Sequence, residues 1–202
     1  PLGKGRPGWH IECSAMSMHY LGNTFDIHTG GVDNIFPHHE NEIAQSEGAT
    51  GKRFVNYWLH CEHLLWDKEK MSKSLGNIVN LKALLTKGYD ARAIRYTLIS
   101  THYRQKVNFS PELLEASARA LDRVDDFFFE LSQIDRPGKP QHTILSILKT
   151  MRANFEKAMD DDLNISPALA AVFESIRAIH KHRADHPLST GDRDEITAAF
   201  QA

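Results

Sequence analysis

The sequence predicts an α/β fold built on a parallel sheet, followed by an all-helical region. Three observations carry this expectation. Helix-period and strand-period apolar runs alternate as far as residue 61, glycine and proline punctuate the ends of those runs, and beyond residue 79 the apolar spacing is helical throughout.

Taken in order, Pro1-Leu2-Gly3-Lys4-Gly5-Arg6-Pro7-Gly8 is a turn-rich loop, and a helix follows from Trp9 to Leu21, stopped by Gly22-Asn23. Thr24–His28 alternates as a strand and ends at Thr29-Gly30-Gly31. Pro37 suits the first turn of a helix through His38–Glu47. Val55–Cys61 is a second strand, with Leu64-Leu65-Trp66 expected to pair beside it. Two such strands cannot make a self-sufficient doubly wound sheet, so the first half of the sheet is expected upstream of residue 1. Asn80–Lys87 and Ala91–Thr101 read as short helices. A longer one runs from Ser110 at the N-cap and Pro111 at the first helical position to about Gln133. Asp135–Pro140 is a linker by composition. Ile144–Asp160 and Pro167–Ala184 are amphipathic helices joined by Asp161-Asp162-Leu163-Asn164, and a last helix begins near Arg193. The expected boundaries are 1–78, 79–135 and 136–202.

At 202 residues the chain makes one large domain or two small ones, with the charge and apolar content of an ordinary globular protein. No apolar run approaches the ~20 residues of a membrane span, and no segment resembles a signal peptide. Two cysteines, Cys13 and Cys61, are too few for a disulfide framework and fit a reducing compartment, so a cytoplasmic, membrane-free protein is expected. The net charge of −2 means that any nucleic acid must be read by a local patch. Twelve histidines, several of them clustered, point to metal or acid–base work.

Three motifs carry chemistry. Lys70-Met71-Ser72-Lys73-Ser74 sets two ammonium groups three residues apart in a polar loop, with hydroxyls at Ser72 and Ser74 and a hinge at Gly76. Such a loop can close over a triphosphate and stabilise departing pyrophosphate, although an isolated K-x-x-K is more often a solvated loop. In Phe36-Pro37-His38-His39-Glu40-Asn41-Glu42, His38 and Glu42 stack on one helix face, and Cys13 on another helix offers a thiolate. Cys, His and Glu form a borderline-soft set suited to Zn²⁺, but the same residues also fit a plain i,i+4 pair beside a small buried cysteine. Gly30-Gly31-Val32-Asp33 ends a strand where a ligand can approach bare backbone, and Asp33 can accept hydrogen bonds from ribose hydroxyls; a simple turn has the same pattern.

Gly5–Ser14, Gly30–Glu42 and KMSKS together resemble cysteinyl-tRNA synthetase, a class I aminoacyl-tRNA synthetase, and the likeness continues through Ser100–Arg104, Asn108–Ser110 and Ala158–Asp162. The resemblance implies the second half of a Rossmann-like sheet in 1–78, a helical stem-contact region in 79–135, and the opening of an anticodon-side, DALR-like helical domain in 136–202. It implies an ATP- and Mg²⁺-dependent ligase that joins L-cysteine to tRNA(Cys) through a cysteinyl-adenylate, working as a monomer. One Zn²⁺ per chain would sit on Cys13, His38 and Glu42. The family's fourth ligand, an N-terminal cysteine, has no counterpart here, and neither has its HIGH-type ATP motif; Cys61 is in the wrong place to replace that ligand. Trp9 would wall the amino-acid pocket. Gly30, Gly31 and Asp33 would face the adenosine, with Lys70, Ser72, Lys73 and Ser74 on the phosphates. His39 is a nucleotide or ligand-supporting contact, or else a cap or surface residue. Arg95, Tyr103, Arg104 and Lys106 are tRNA-phosphate contacts or helix-surface charge. Two other readings stay open: a mycothiol-pathway cysteine ligase, which passes cysteine to an amino sugar, and a non-catalytic zinc-bearing tRNA-binding module.

Overall fold

A computed structural model describes residues 3–66, 69–70 and 80–201, with backbone alone at 69–70. It has a mixed α/β first part and a helical second part. The elements are α1 (His10–Leu21), β1 (Phe25–Gly31), α2 (Glu40–Thr50), β2 (Val55–Cys61), β3 (Leu64–Trp66), β4 (Glu69–Lys70), α3 (Leu81–Thr86), α4 (Ala91–Ile99), β5 (Val107–Phe109), α5 (Pro111–Ser132), α6 (His142–Asp160), α7 (Ile165–Asp185) and α8 (Thr190–Gln201). They form two compact units, one from the chain up to Leu64 with Tyr103–Val107, the other from Leu65–His102 with Asn108–Ala202. No helix among the described residues is long and apolar enough to cross a membrane.

In the first unit β1 and β2 pair in parallel, with Phe25 opposite Val55, His28 opposite Trp58, Gly30 opposite His60 and Gly31 opposite Cys61. The helical connection through α2 is what a parallel pair requires. Phe54 and Val55 anchor the apolar core, Phe25 meeting Phe54 edge-on at 5.0 Å. The rest of the buried set in this unit is polar: Ser14, His39, Glu42 and Ser46. Such a core has to be explained by chemistry, because burying polar groups costs free energy unless they find partners.

Three expectations change here. Strand β1 runs through Gly30 and Gly31, because the ladder to β2 continues to its end. Helix α2 starts at Glu40, and Pro37 lies in a wide turn, Ile35–His39, where Phe36 is extended (φ −130°, ψ 132°), the conformation favoured before proline. Leu64–Trp66 does not extend the β1–β2 sheet: β3 pairs antiparallel with β4 and is flanked by β5 in a separate three-stranded sheet.

In the second unit the cap read at Ser110 is formed, and the structure adds caps at Asn80 and Asp90. Ser110 Oγ accepts from Leu113 N (3.3 Å) at the start of α5, Asn80 Oδ1 from Ala83 N (2.8 Å) and Asp90 Oδ1 from Arg92 N (2.9 Å). Helices α5 to α8 bury one continuous cluster that includes Phe127, Leu131, Ile144, Leu148, Met151, Ile176, Ile179 and Ile196. The linker before α6 is tied to α8 by a buried carboxylate. Asp192 accepts from Gln141 N (2.6 Å), Gln141 Nε2 (2.9 Å), Ser189 N (2.8 Å) and Ser189 Oγ (2.8 Å).

Candidate metal and amino-acid site

Glu42 is the centre of the first unit's polar core. It lies in the first turn of α2, is fully buried, and neither of its carboxylate oxygens has a well-formed hydrogen bond. Imidazoles face both oxygens. His38 Nε2 is 2.8 Å from Oε1 and His28 Nε2 is 3.4 Å from Oε2. The i,i+4 relation of His38 and Glu42 survives the wide turn, since the chain from Pro37 onward is already helical in handedness. Helix α1 brings Cys13, and the donor atoms of Cys13, His38 and Glu42 lie within 4.8 Å of one another. Trp9, four residues before Cys13 and so on the same side of α1, is exposed and sets its ring edge-on to His38 at 5.3 Å. Ser14 and Ser46, both fully buried, add further unpartnered hydroxyls to the polar core of α1 and α2.

The electrostatics follow from burial. Loss of water pushes the Glu42 carboxyl up to about 7, against the pull of the Cys13 thiol beside it. Burial, then the charge of Glu42, raises the Cys13 thiol. A cation between them would reverse both effects. A fully buried carboxylate, a thiol and an imidazole at ligand spacing fit a borderline-soft ion such as Zn²⁺. Three donors are present among the described residues, which leaves a coordination position for one more.

Behind this set lies a layer that sequence spacing did not reveal. In the parallel register, His28 and Gly30 on β1 lie beside Trp58 and His60 on β2, all on one face of the sheet. His28 stacks on Trp58 at 4.6 Å, and Trp58 lies parallel to His60 at 6.1 Å. His39, buried, fills the hole that Gly30 leaves. Its Nδ1 is 2.8 Å from His60 Nε2, and a Cβ on Gly30 would meet its ring at 2.5 Å. Desolvation first, then the neighbouring imidazoles, lowers His39 to about 4; burial likewise lowers His28 and His60. These rings are therefore neutral near pH 7. The physical reason for Gly30 is thus a protein side chain rather than open backbone. At Gly31, similarly, a Cβ would meet the carboxylate of Asp33, which is itself exposed. His28, Trp58 and His60 are the site residues missed from the sequence. The signal was there as strand alternation at 28, 30, 58 and 60, but only the register aligns the two strands.

A family model described as tRNA synthetases class I (C) catalytic domain matches residues 1–119, and a DALR domain model matches residues 154–202. The chain belongs to the cysteinyl-tRNA synthetase family. Similar relatives are the Cysteine--tRNA ligase of Brachyspira hyodysenteriae, 54% identical over 89% of this chain and 38% of its own length, and that of Chlamydia pneumoniae, 50% identical over 89% and 38%. The Cysteine--tRNA ligase of Thermodesulfovibrio yellowstonii is 48% identical over 100% of this chain and 42% of its own. The chain thus spans roughly two fifths of the length of these relatives. Among solved structures, LeuRS from a ternary complex with tRNA and LeuAMS from Agrobacterium radiobacter K84 aligns with a TM-score of 0.66 over 83% of this chain and 24% of that one. At 17% identity this likeness concerns the fold.

The remaining sequence-predicted residues are distributed as follows. Arg95 is exposed on α4, and Lys106 is exposed near β5. Arg104 lies over the Tyr103 ring at 5.0 Å, and the Tyr103 carbonyl accepts from Glu62 N at 2.8 Å. Cys61 donates to the Gly30 carbonyl at 3.4 Å and is not among the donors around Glu42. Ser72, Lys73 and Ser74 lie outside the described residues, as does the side chain of Lys70.

Proposed function

We propose that this chain is the segment of a cysteine–tRNA ligase that carries the cysteine-recognition site, the KMSKS loop and the start of the tRNA-binding helices. The whole enzyme would ligate L-cysteine to tRNA(Cys) at the expense of ATP, with Mg²⁺ on the nucleotide, through a cysteinyl-adenylate, as a cytoplasmic monomer. Residues 1–78 would belong to its catalytic domain, 79–135 to the stem-contact region, and 136–202 to a DALR-like domain. The observation that carries this reading is the convergence of Cys13 and His38 on Glu42, a fully buried carboxylate with no well-formed hydrogen bond.

Zinc bound by Cys13, His38 and Glu42 would supply a strong preference for a thiolate over a hydroxyl, a discrimination that shape alone, worth about 1–3 kcal/mol per methylene, does not reach. The chain's own groups do the rest. Trp9 walls the amino-acid pocket and excludes water from it. With a cation bound, Glu42 would hold its charge in a buried setting where electrostatic interactions are strong. The His28–His39–His60 layer keeps neutral donors and acceptors beneath the pocket in fixed orientation. Gly31 and Asp33 offer backbone and a carboxylate to the adenosine ribose. Lys73, with Lys70, Ser72 and Ser74, holds the triphosphate and stabilises the departing pyrophosphate.

The test is cysteine-dependent ATP–pyrophosphate exchange and tRNA charging by the full-length protein, with Cys13→Ser beside it. The variant should lose bound zinc and its selectivity for cysteine over serine. Unchanged zinc content and unchanged selectivity in Cys13→Ser would refute the reading.

A further inference from the structure

Glu42 has donors on two sides. The donor atoms of His28, His39 and Glu42 also lie within 4.8 Å of one another, a set separate from Cys13 and His38 except for the shared carboxylate. The two oxygens are divided between the sets, Oε1 facing His38 Nε2 at 2.8 Å and Oε2 facing His28 Nε2 at 3.4 Å. The carboxylate is fully buried and neither oxygen is well hydrogen-bonded, so both have lone pairs to give.

We propose that His28, His39 and Glu42 form a second divalent-cation site, and that Glu42 bridges it to the first, one oxygen to each ion. The proposal rests on the reading of Cys13, His38 and Glu42 as the first site. The donor set is all nitrogen and oxygen, which suits Zn²⁺, Co²⁺ or Ni²⁺ and lacks the sulfur that marks the first site. Its rings are held from outside. His39 Nδ1 contacts His60 Nε2 at 2.8 Å, the kind of outer hydrogen bond that orients a ligating imidazole, and His28 is stacked on Trp58 at 4.6 Å. Gly30 is part of the device, because any side chain there would displace the His39 ring. Two cations sharing one carboxylate sit about 3.5–4 Å apart and repel each other, so the second site fills after the first and more weakly. Its occupancy then follows the free metal concentration, and filling it withdraws His28 and His39 from any contact with substrate.

The experiment is a Co²⁺ titration of the metal-stripped, full-length protein carrying Cys61→Ala, followed by absorption. The expected course has two phases ending near about two Co²⁺ per chain. The first shows a thiolate-to-cobalt charge-transfer band to which Cys13 contributes. The second adds ligand-field absorption with no growth of that band. His28→Gln and His39→Gln should each keep the first phase and lose the second, while Cys13→Ser should weaken the band and retain nitrogen–oxygen binding. Saturation of the parent protein at about one Co²⁺ with the thiolate band present would overturn the second site and leave the first intact. A second phase that persists in both histidine variants would also overturn it. A titration with no thiolate band at any stage would overturn the first site and the bridge with it.

Discussion

Gly30→Ala is expected to displace the His39 imidazole, and the size of the effect can be worked from the structure. A Cβ at position 30 would lie 2.5 Å from His39 Cε1 and 2.9 Å from Nε2, whereas ordinary contact begins at 3.4 Å. The ring must therefore move by about 1 Å, which overpacked interiors resist at about 1–3 kcal/mol. It cannot swing freely: His60 holds Nδ1 at 2.8 Å, with Trp58 at 4.8 Å and His28 at 5.0 Å from its centroid. The other neighbour of the new methyl, Asn34 Nδ2 at 3.5 Å, needs no adjustment. Losing the His39–His60 hydrogen bond leaves a buried ring unsatisfied, again about 1–3 kcal/mol. Chemical denaturation of the single variants and of the Gly30→Ala/His39→Ala double variant measures this directly. Once His39 is truncated, the alanine at 30 has room, and its added cost should fall to within about 0.5 kcal/mol. ATP affinity, measured in parallel, separates the two reasons for a glycine here. If Gly30→Ala destabilises equally with and without His39, or lowers ATP affinity equally in both backgrounds, the glycine serves ligand approach and the argument from His39 is wrong.

Asp192→Asn should destabilise the protein by about 1–3 kcal/mol at neutral pH, because the buried backbone donors at Gln141 and Ser189 lose a charged acceptor. Burial alone would raise the Asp192 carboxyl, but the hydrogen bonds from Gln141 and Ser189 outweigh it and hold it below the usual carboxylate range. Its contribution is therefore complete above the unfolded value of about 3.9 and is lost as pH falls through the lower folded value, so the gap between variant and parent should narrow in acid; denaturation curves with the same gap at pH 7 and pH 2 would contradict this. Lys73→Ala should slow single-turnover adenylate formation by about 10²-fold or more with little change in cysteine affinity, and the reverse pattern would remove Lys73 from its assigned role. Trp9→Ala should raise KM for cysteine by about tenfold while leaving KM for ATP nearly unchanged; equal changes in both would mean that Trp9 does not wall the amino-acid pocket.

What the sequence determined by itself was whatever depends on neighbours along the chain. Helical spacing placed α5, α6 and α7 within a few residues, and Ser110-Pro111 marked the start of α5 through a short-range cap. The pairing of His38 with Glu42 was readable because four residues make one helical turn. Tertiary structure alone decided which partners meet across the chain. The parallel register of β1 and β2 assembles His28, Trp58 and His60 beneath His39, and nothing in either strand's own pattern encodes that alignment. It gave Gly30 a different reason, since the group that needs the space arrives from the turn nine residues later. It also set Leu64–Trp66 against β4 and β5 instead of β2, because an apolar run states that it must be covered but not by what. The same holds for Glu42: its pairing with His38 was legible in sequence, but its complete burial exists only after α1, β1 and α2 have closed around it.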